Sequence, residues 1–211
     1  MAQELIVPEG LVTARRRLAR RDPILKALMG HVGPCTLRYN PDGFYVLVRS
    51  IVAQQISSKA AAAIAARLEQ ALAPAGVSPA ALLAAPIKRL RAAGLSESKA
   101  RSLHDLAQKV HEGSVPLAGL PDLPDERIVA SLLPVRGIGR WTAEMFLIFC
   151  LGRLDVLPVA DYGLRAAVKR IYALEELPDR QALMTLAEPW QPYRSIATWY
   201  LWRSLGAVPQ S

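Results

Sequence analysis

This sequence predicts an all-α protein built as two helical lobes, and three observations lead there. Ala and Leu together supply about 30% of the 211 residues. Apolar positions recur at three- and four-residue spacing, the period of helices buried along one face. No run of alternating strands and no strand–helix–strand alternation is present. Apolar residues make up 52% of the chain and charged residues 21%, the balance of a folded rather than a disordered protein.

The periodicity places helices over 11–21, 23–31, 44–54, 57–73, 78–85, 87–93, 97–112, 125–133, 140–151, 163–173, 179–188 and 192–205. The first carries Arg15, Arg16, Arg17, Arg20 and Arg21 and reads as a solvated basic helix. The stretch VGPCTLRYNPDG at 32–43 is a loop or a short extended piece. Ser57 can cap the helix that follows it, Ser78 with Pro79 starts another, and Ser96 can cap the next. Gly94 and Gly113 are helix stops. LPDLP at 120–124 is a proline break, and Asp161 stands where a cap is wanted. The breaks suggest a middle lobe over 44–118 and a second lobe combining 1–43 with 119–211, with a ligand cleft between them.

The formal net charge of +8, with a pI near 9.9, suggests a polyanionic partner, most simply nucleic acid. No apolar stretch reaches the ~20 residues of a membrane span. MAQELIVPEG is not a secretory leader, so a cytoplasmic or nuclear protein is expected. Cys35 and Cys150 alone build no disulfide framework, zinc site or iron–sulfur cluster. His31, His104 and His111 have no ligand spacing.

The strongest local signal is 125–151, where a helix runs into Leu133–Pro134, the turn Val135-Arg136-Gly137-Ile138-Gly139 follows, and a second helix begins near Arg140. Two glycines two apart permit positive φ and bring bare backbone close to another surface. The helix N-terminus behind them offers N–H groups and the positive end of a dipole. Such a turn can hold one phosphate without reading base sequence, and Arg136 and Arg140 add charge. It can equally be a tight helix–helix turn.

The segment LLPVRGIGRWTAEMFLIF resembles the helix-hairpin-helix of base-excision DNA glycosylases, and LDVLPVADYGLRAAVKR at 154–170 resembles their Gly/Pro-rich loop ending in an aspartate. LVRSIVAQQISSKAAAAIAARL at 47–68 is similar to the family segment bearing Gln-Gln-x-Ser. WQPYRSIATWYLWR at 190–203 is similar to the closing helix of the DNA-3-methyladenine glycosylase II branch. These four blocks, in order, imply a DNA-binding cleft between the lobes and a monomeric enzyme removing alkylated bases from double-stranded DNA in base excision repair. Larger members carry an N-terminal sheet domain; about 45 helical-looking residues stand here instead.

The resemblance makes Asp161 the catalytic aspartate. A carboxylate at a helix mouth faces a dipole that favours negative charge, and near C1′ it would stabilise an oxocarbenium-like state and orient water. Asp155 and Asp179 fall outside the family position and are expected in solvated loop or cap roles. The bifunctional members have a lysine two residues after the second hairpin glycine; Trp141 stands there, and an indole forms no imine. A monofunctional glycosylase needing no cofactor is implied. Trp141, Tyr162 and Trp202 match aromatic positions lining the pocket for an electron-poor base. Core packing is the competing role for such aromatics, and most of all for Trp199.

Gln54-Gln55-Ile56-Ser57 matches the turn that approaches the minor groove, with Gln55 best placed as the wedge; a plain polar helix junction capped by Ser57 is the other possibility. By resemblance Thr142 donates to phosphate, and the carbonyls of Leu133, Val135 and Gly137 face a bound sodium or potassium ion. A non-catalytic helix-hairpin-helix module that binds DNA or senses lesions fits the charge and the hairpin equally well. Asp161 with an aromatic pocket separates the two.

Overall fold

The computed structural model describes residues 5–206. The twelve expected helices are present among them: α1 (Leu11–Arg21), α2 (Pro23–Val32), α3 (Gly43–Ala53), α4 (Ser58–Ala71), α5 (Pro79–Ala84), α6 (Ile87–Ala92), α7 (Glu97–His111), α8 (Asp125–Leu132), α9 (Arg140–Phe149), α10 (Tyr162–Ile171), α11 (Arg180–Leu186) and α12 (Arg194–Ser204). Two 3₁₀ segments, Leu117–Asp122 at the proline break and Glu188–Trp190, were not expected. The loop 32–43 contributes one antiparallel bridge, Ile6 to Tyr39, and no strand is found among the described residues. The N-terminal stretch and the end of the second lobe include 1–4 and 207–211, which lie outside the described residues.

The helix starts follow their caps. The side chains of Asp22, Asp42, Ser57, Ser78, Ser96, Asp161 and Asp179 each accept from the backbone N–H three residues on. Each such bond satisfies one of the donors a helix start leaves without an intrahelical partner.

The chain forms two compact units, divided differently from the expected lobes. Of the described residues, one comprises 5–41 and 147–206; the other runs over 42–146. The segment 119–146, hairpin included, therefore belongs with the middle helices. The reason is a set of non-local bonds onto α7 and the end of α3, described below.

In the first unit α12 is the central helix. Every residue from Ser195 to Trp202 is buried, because α1, α2 and α10 pack against it on different sides. In the second unit α7 is central, packed by α3, α5 and α6 through Leu103, Leu106 and Ala107. Among the described residues no helix is long and apolar enough to cross a membrane.

Candidate functional site

The first unit presents Asp161 at the mouth of α10. Its φ of −69° and ψ of 115° are those of a cap, and its own N–H is turned back to the Pro158 carbonyl at 2.9 Å. Oδ1 accepts the Leu164 N–H at 2.5 Å and the Trp202 indole N–H at 2.9 Å. The residue is 8% exposed. Gly163 leaves room beside it, since a Cβ there would stand 3.2 Å from Oδ1. A buried carboxylate oxygen fixed by a backbone and an indole donor is preorganised, and it spends no reorganisation when positive charge develops nearby.

The aromatic residues divide. Tyr162, next to Asp161, is 69% exposed and offers an open ring. Trp141, at the start of α9 in the other unit, is 38% exposed. Trp202 departs from the expected open stacking face. It is 2% exposed, its ring stacks on Phe149 with centroids 6.1 Å apart, and its N–H serves Asp161. Seven residues separate Ser195 from Trp202, so both fall on one side of α12, the side that packs the loop before α10. Trp199 and Tyr200 are core residues, the latter donating to the Gly33 carbonyl at 3.0 Å.

The second unit presents the hairpin. Of its two glycines only Gly137 has a positive φ, +80°, and a Cβ there would meet Ser102 Oγ at 2.8 Å. Gly139 opens onto free space with no atom within 4 Å of where its Cβ would be, directly before the first turn of α9. The two therefore differ in kind: Gly137 fits the turn against α7, while Gly139 keeps bare backbone accessible. Arg136 is exposed, and its N–H donates to Asp105 Oδ2 at 2.7 Å. Burial acts to raise the Asp105 carboxyl, but the Arg136 N–H and the Lys109 ammonium outweigh it and hold it below its ordinary value.

Three residues of the expected hairpin contact set are engaged within the protein. Ile138 is buried and its N–H closes the turn on the Val135 carbonyl at 3.0 Å, because the turn needs an apolar plug under it. Thr142 is buried too, being one residue deeper on the inner face of α9. The Arg140 guanidinium is engaged by Glu126 and, at 3.1 Å, by Glu144, and its hydrogen bonding to Glu126 is the main cause of its raised pKa. Its charge is thus largely matched on the spot. The proposed cation carbonyls are also partly occupied: Val135 accepts from Ile138, and Gly137 accepts the Gln54 amide at 2.8 Å. An amide donor on the Gly137 oxygen competes with a cation there.

The Gln-Gln turn lies in the same unit. Gln54 ends α3 and bridges to the hairpin through that amide. Gln55 is exposed at φ +58°, a conformation that non-glycine residues adopt at a cost of about 1–3 kcal/mol and that clusters at functional positions. Ser57 is exposed, with its hydroxyl used as the cap of α4 at 3.3 Å from the Ala60 N–H.

Three α7 residues had escaped sequence reasoning. Lys99 donates to the carbonyls of Val52 and Gln54 at 2.8 and 2.7 Å, closing the end of α3, and burial lowers its pKa. Ser102 meets Gly137, and Asp105 holds Arg136. Their spacing of three residues puts all three on one face of α7, a helical pattern visible only once its partners are known. Asp179 caps α11 as expected, whereas Asp155 is paired with Arg194 rather than solvated.

A glycine hairpin opening α9 and an aspartate capping α10, in an otherwise helical chain, define a helix-hairpin-helix protein. Residues 48–192 match the family model of HhH-GPD superfamily base excision DNA repair proteins, and the chain belongs to that superfamily. It is 30% identical over 195 residues to the alkylbase DNA glycosidase-like protein of Schizosaccharomyces pombe, covering 90% of this chain and 92% of that one. The crystal structure of DNA-3-methyladenine glycosidase from Bacillus halodurans superposes with a TM-score of 0.82 at 35% identity, covering 92% and 89% of the two chains. The 3-methyladenine DNA glycosylase of Schizosaccharomyces pombe in complex with abasic DNA gives 0.81 at 31% identity, covering 93% and 98%.

Proposed function

We propose that the protein is a DNA-3-methyladenine glycosylase of the glycosylase II type, a monomeric hydrolase that releases alkylated bases from double-stranded DNA and leaves the strand intact. The observation that carries this is Asp161, a buried carboxylate held by the Leu164 N–H and the Trp202 indole at a helix mouth. The hairpin, with Gly139 open before α9, grips a phosphate by main chain and Arg136 adds charge. The target nucleotide leaves the stack, and the exposed ring of Tyr162, next to Asp161, attracts the electron-poor base. The C1′–N bond then breaks with its electron pair going to the base. Asp161 stabilises the positive sugar, water forms the new bond to C1′, and its proton passes to Asp161 or to solvent.

Trp141 occupies the position at which the bifunctional members resembled here carry their lysine. It has no amine to attack C1′, so the products are a free base and an abasic site. Water is the only co-reactant, and no cofactor takes part. Activity of this kind belongs where DNA is kept, in the cytoplasm or nucleus. Incubation with dimethyl-sulfate-treated duplex tests the proposal: methylated bases identified by mass in the supernatant, with strands that break only after alkali, are expected. Binding without base release would favour the non-catalytic module, and borohydride trapping of a protein–DNA adduct would contradict the monofunctional assignment.

A further inference from the structure

We propose that Arg194 and Asp155 form a positioning pair for the reaction, fixing the base of the loop that delivers Asp161. The inference rests on the glycosylase function above. Arg194 sits at the first turn of α12 and grips Asp155 on three sides: Nε to Oδ1 at 2.8 Å, Nη2 to Oδ2 at 2.9 Å and Nη2 to the Asp155 carbonyl at 3.2 Å. Its backbone N–H adds a fourth bond to Oδ1 at 3.1 Å. Ser195, the next residue, accepts the Val156 N–H at 2.9 Å, donates to the Arg153 carbonyl at 2.7 Å and through its N–H reaches the Leu154 carbonyl at 3.0 Å.

Two turns further along the same side of α12, Trp202 holds Asp161 itself. The loop is thus strapped at both ends to one helix, with anchors about 10 Å apart along its axis. Between them little is free to give. Val156 and Val159 are buried, the Pro158 ring fixes one φ, and the Val159 and Asp161 N–H groups bond to the carbonyls of Leu157 and Pro158, each at 2.9 Å. A forked, charge-assisted contact sets an angle as well as a distance. Release of one anchor lets Asp161 shift, and displacements of about 1 Å cost catalysis about 100-fold.

The test is single-turnover release of methylated bases from duplex DNA under saturating protein, with the dissociation constant for an abasic-analogue duplex and thermal melting measured alongside. Arg194→Gln and Asp155→Asn are each expected to slow release about 10- to 100-fold with affinity within about twofold. The double variant is expected to be no slower than either single one, since both break the same contact. Arg194→Lys keeps the charge but not the fork, folds, and is expected to fall between wild type and Arg194→Gln. Wild-type release rates in Arg194→Lys and Arg194→Gln would overturn the pairing, as would a loss explained wholly by the unfolded fraction or by weaker DNA binding. Absence of release by the wild type itself would instead overturn the glycosylase function, and the pair's role with it.

Discussion

Asp22 and Asp161 belong to the same unit and are built almost alike. Both cap a helix, both are buried at 7% and 8% exposure, and both accept from the backbone N–H three residues on and from a tryptophan indole. They differ in which oxygen the indole reaches. At Asp22, Leu25 N–H takes Oδ1, while Trp190 and the Tyr172 hydroxyl both take Oδ2. Burial and the bond to Asp22 push the Tyr172 hydroxyl far above its ordinary value, so it stays a donor. At Asp161 the Leu164 and Trp202 donors converge on the single oxygen Oδ1. The neighbours differ as well: Asp161 is followed by the exposed Tyr162 and by Gly163, whose missing side chain leaves the carboxylate uncrowded. One cap-and-indole device thus stands in two settings, beside a tyrosine hydroxyl at Asp22 and beside an exposed ring at Asp161.

The comparison can be broken most severely at Asp161. Asn still caps a helix well, so Asp161→Asn is expected to keep the fold and DNA binding while base release falls by about 100-fold or more. Gel-shift titration and mass analysis of released bases read the two separately. Next comes the indole. Trp202→Phe is expected to slow release about 10-fold through loss of one bond to Asp161, whereas Trp190→Phe leaves the rate alone and costs about 1–3 kcal/mol of stability by exposing a buried acceptor; denaturant unfolding separates them.

The same division between building and acting runs through the hairpin. Gly137→Ala meets Ser102 at a positive φ and is expected to lower stability by about 1–3 kcal/mol. Gly139→Val meets nothing within the protein and is expected to leave melting unchanged while weakening DNA binding for all sequences alike. The smallest effect concerns pH. Asp105 is held below its ordinary value, so its contribution is present at neutral pH and fades as the pH falls through its folded value, below the usual carboxylate range. Asp105→Asn is expected to flatten that part of the stability profile in acid melting curves.

The helices were legible because their information is local. Apolar spacing marked all twelve, and Ser57, Ser78, Ser96 and Asp161 marked their own helix starts. The unit boundary was not, because it depends on bonds across long stretches of chain, Gln54 to Gly137 and Asp105 to Arg136. Residue types and order singled out Asp161, which caps α10, and the aromatics Tyr162 and Trp141, which are exposed. They did not show that the indole of Trp202 turns inward, or that Arg140 is matched by Glu126 fourteen residues before it. Arg194 and Asp155 look like ordinary surface charges until the loop between α9 and α10 is seen folded onto α12.

Asp161→Asn and Asp22→Asn, measured side by side for single-turnover release of methylated bases from duplex DNA and for thermal melting, separate the two carboxylates. Loss of release confined to Asp161→Asn, with loss of stability confined to Asp22→Asn, is the predicted result. Release at the wild-type rate by folded Asp161→Asn would contradict it.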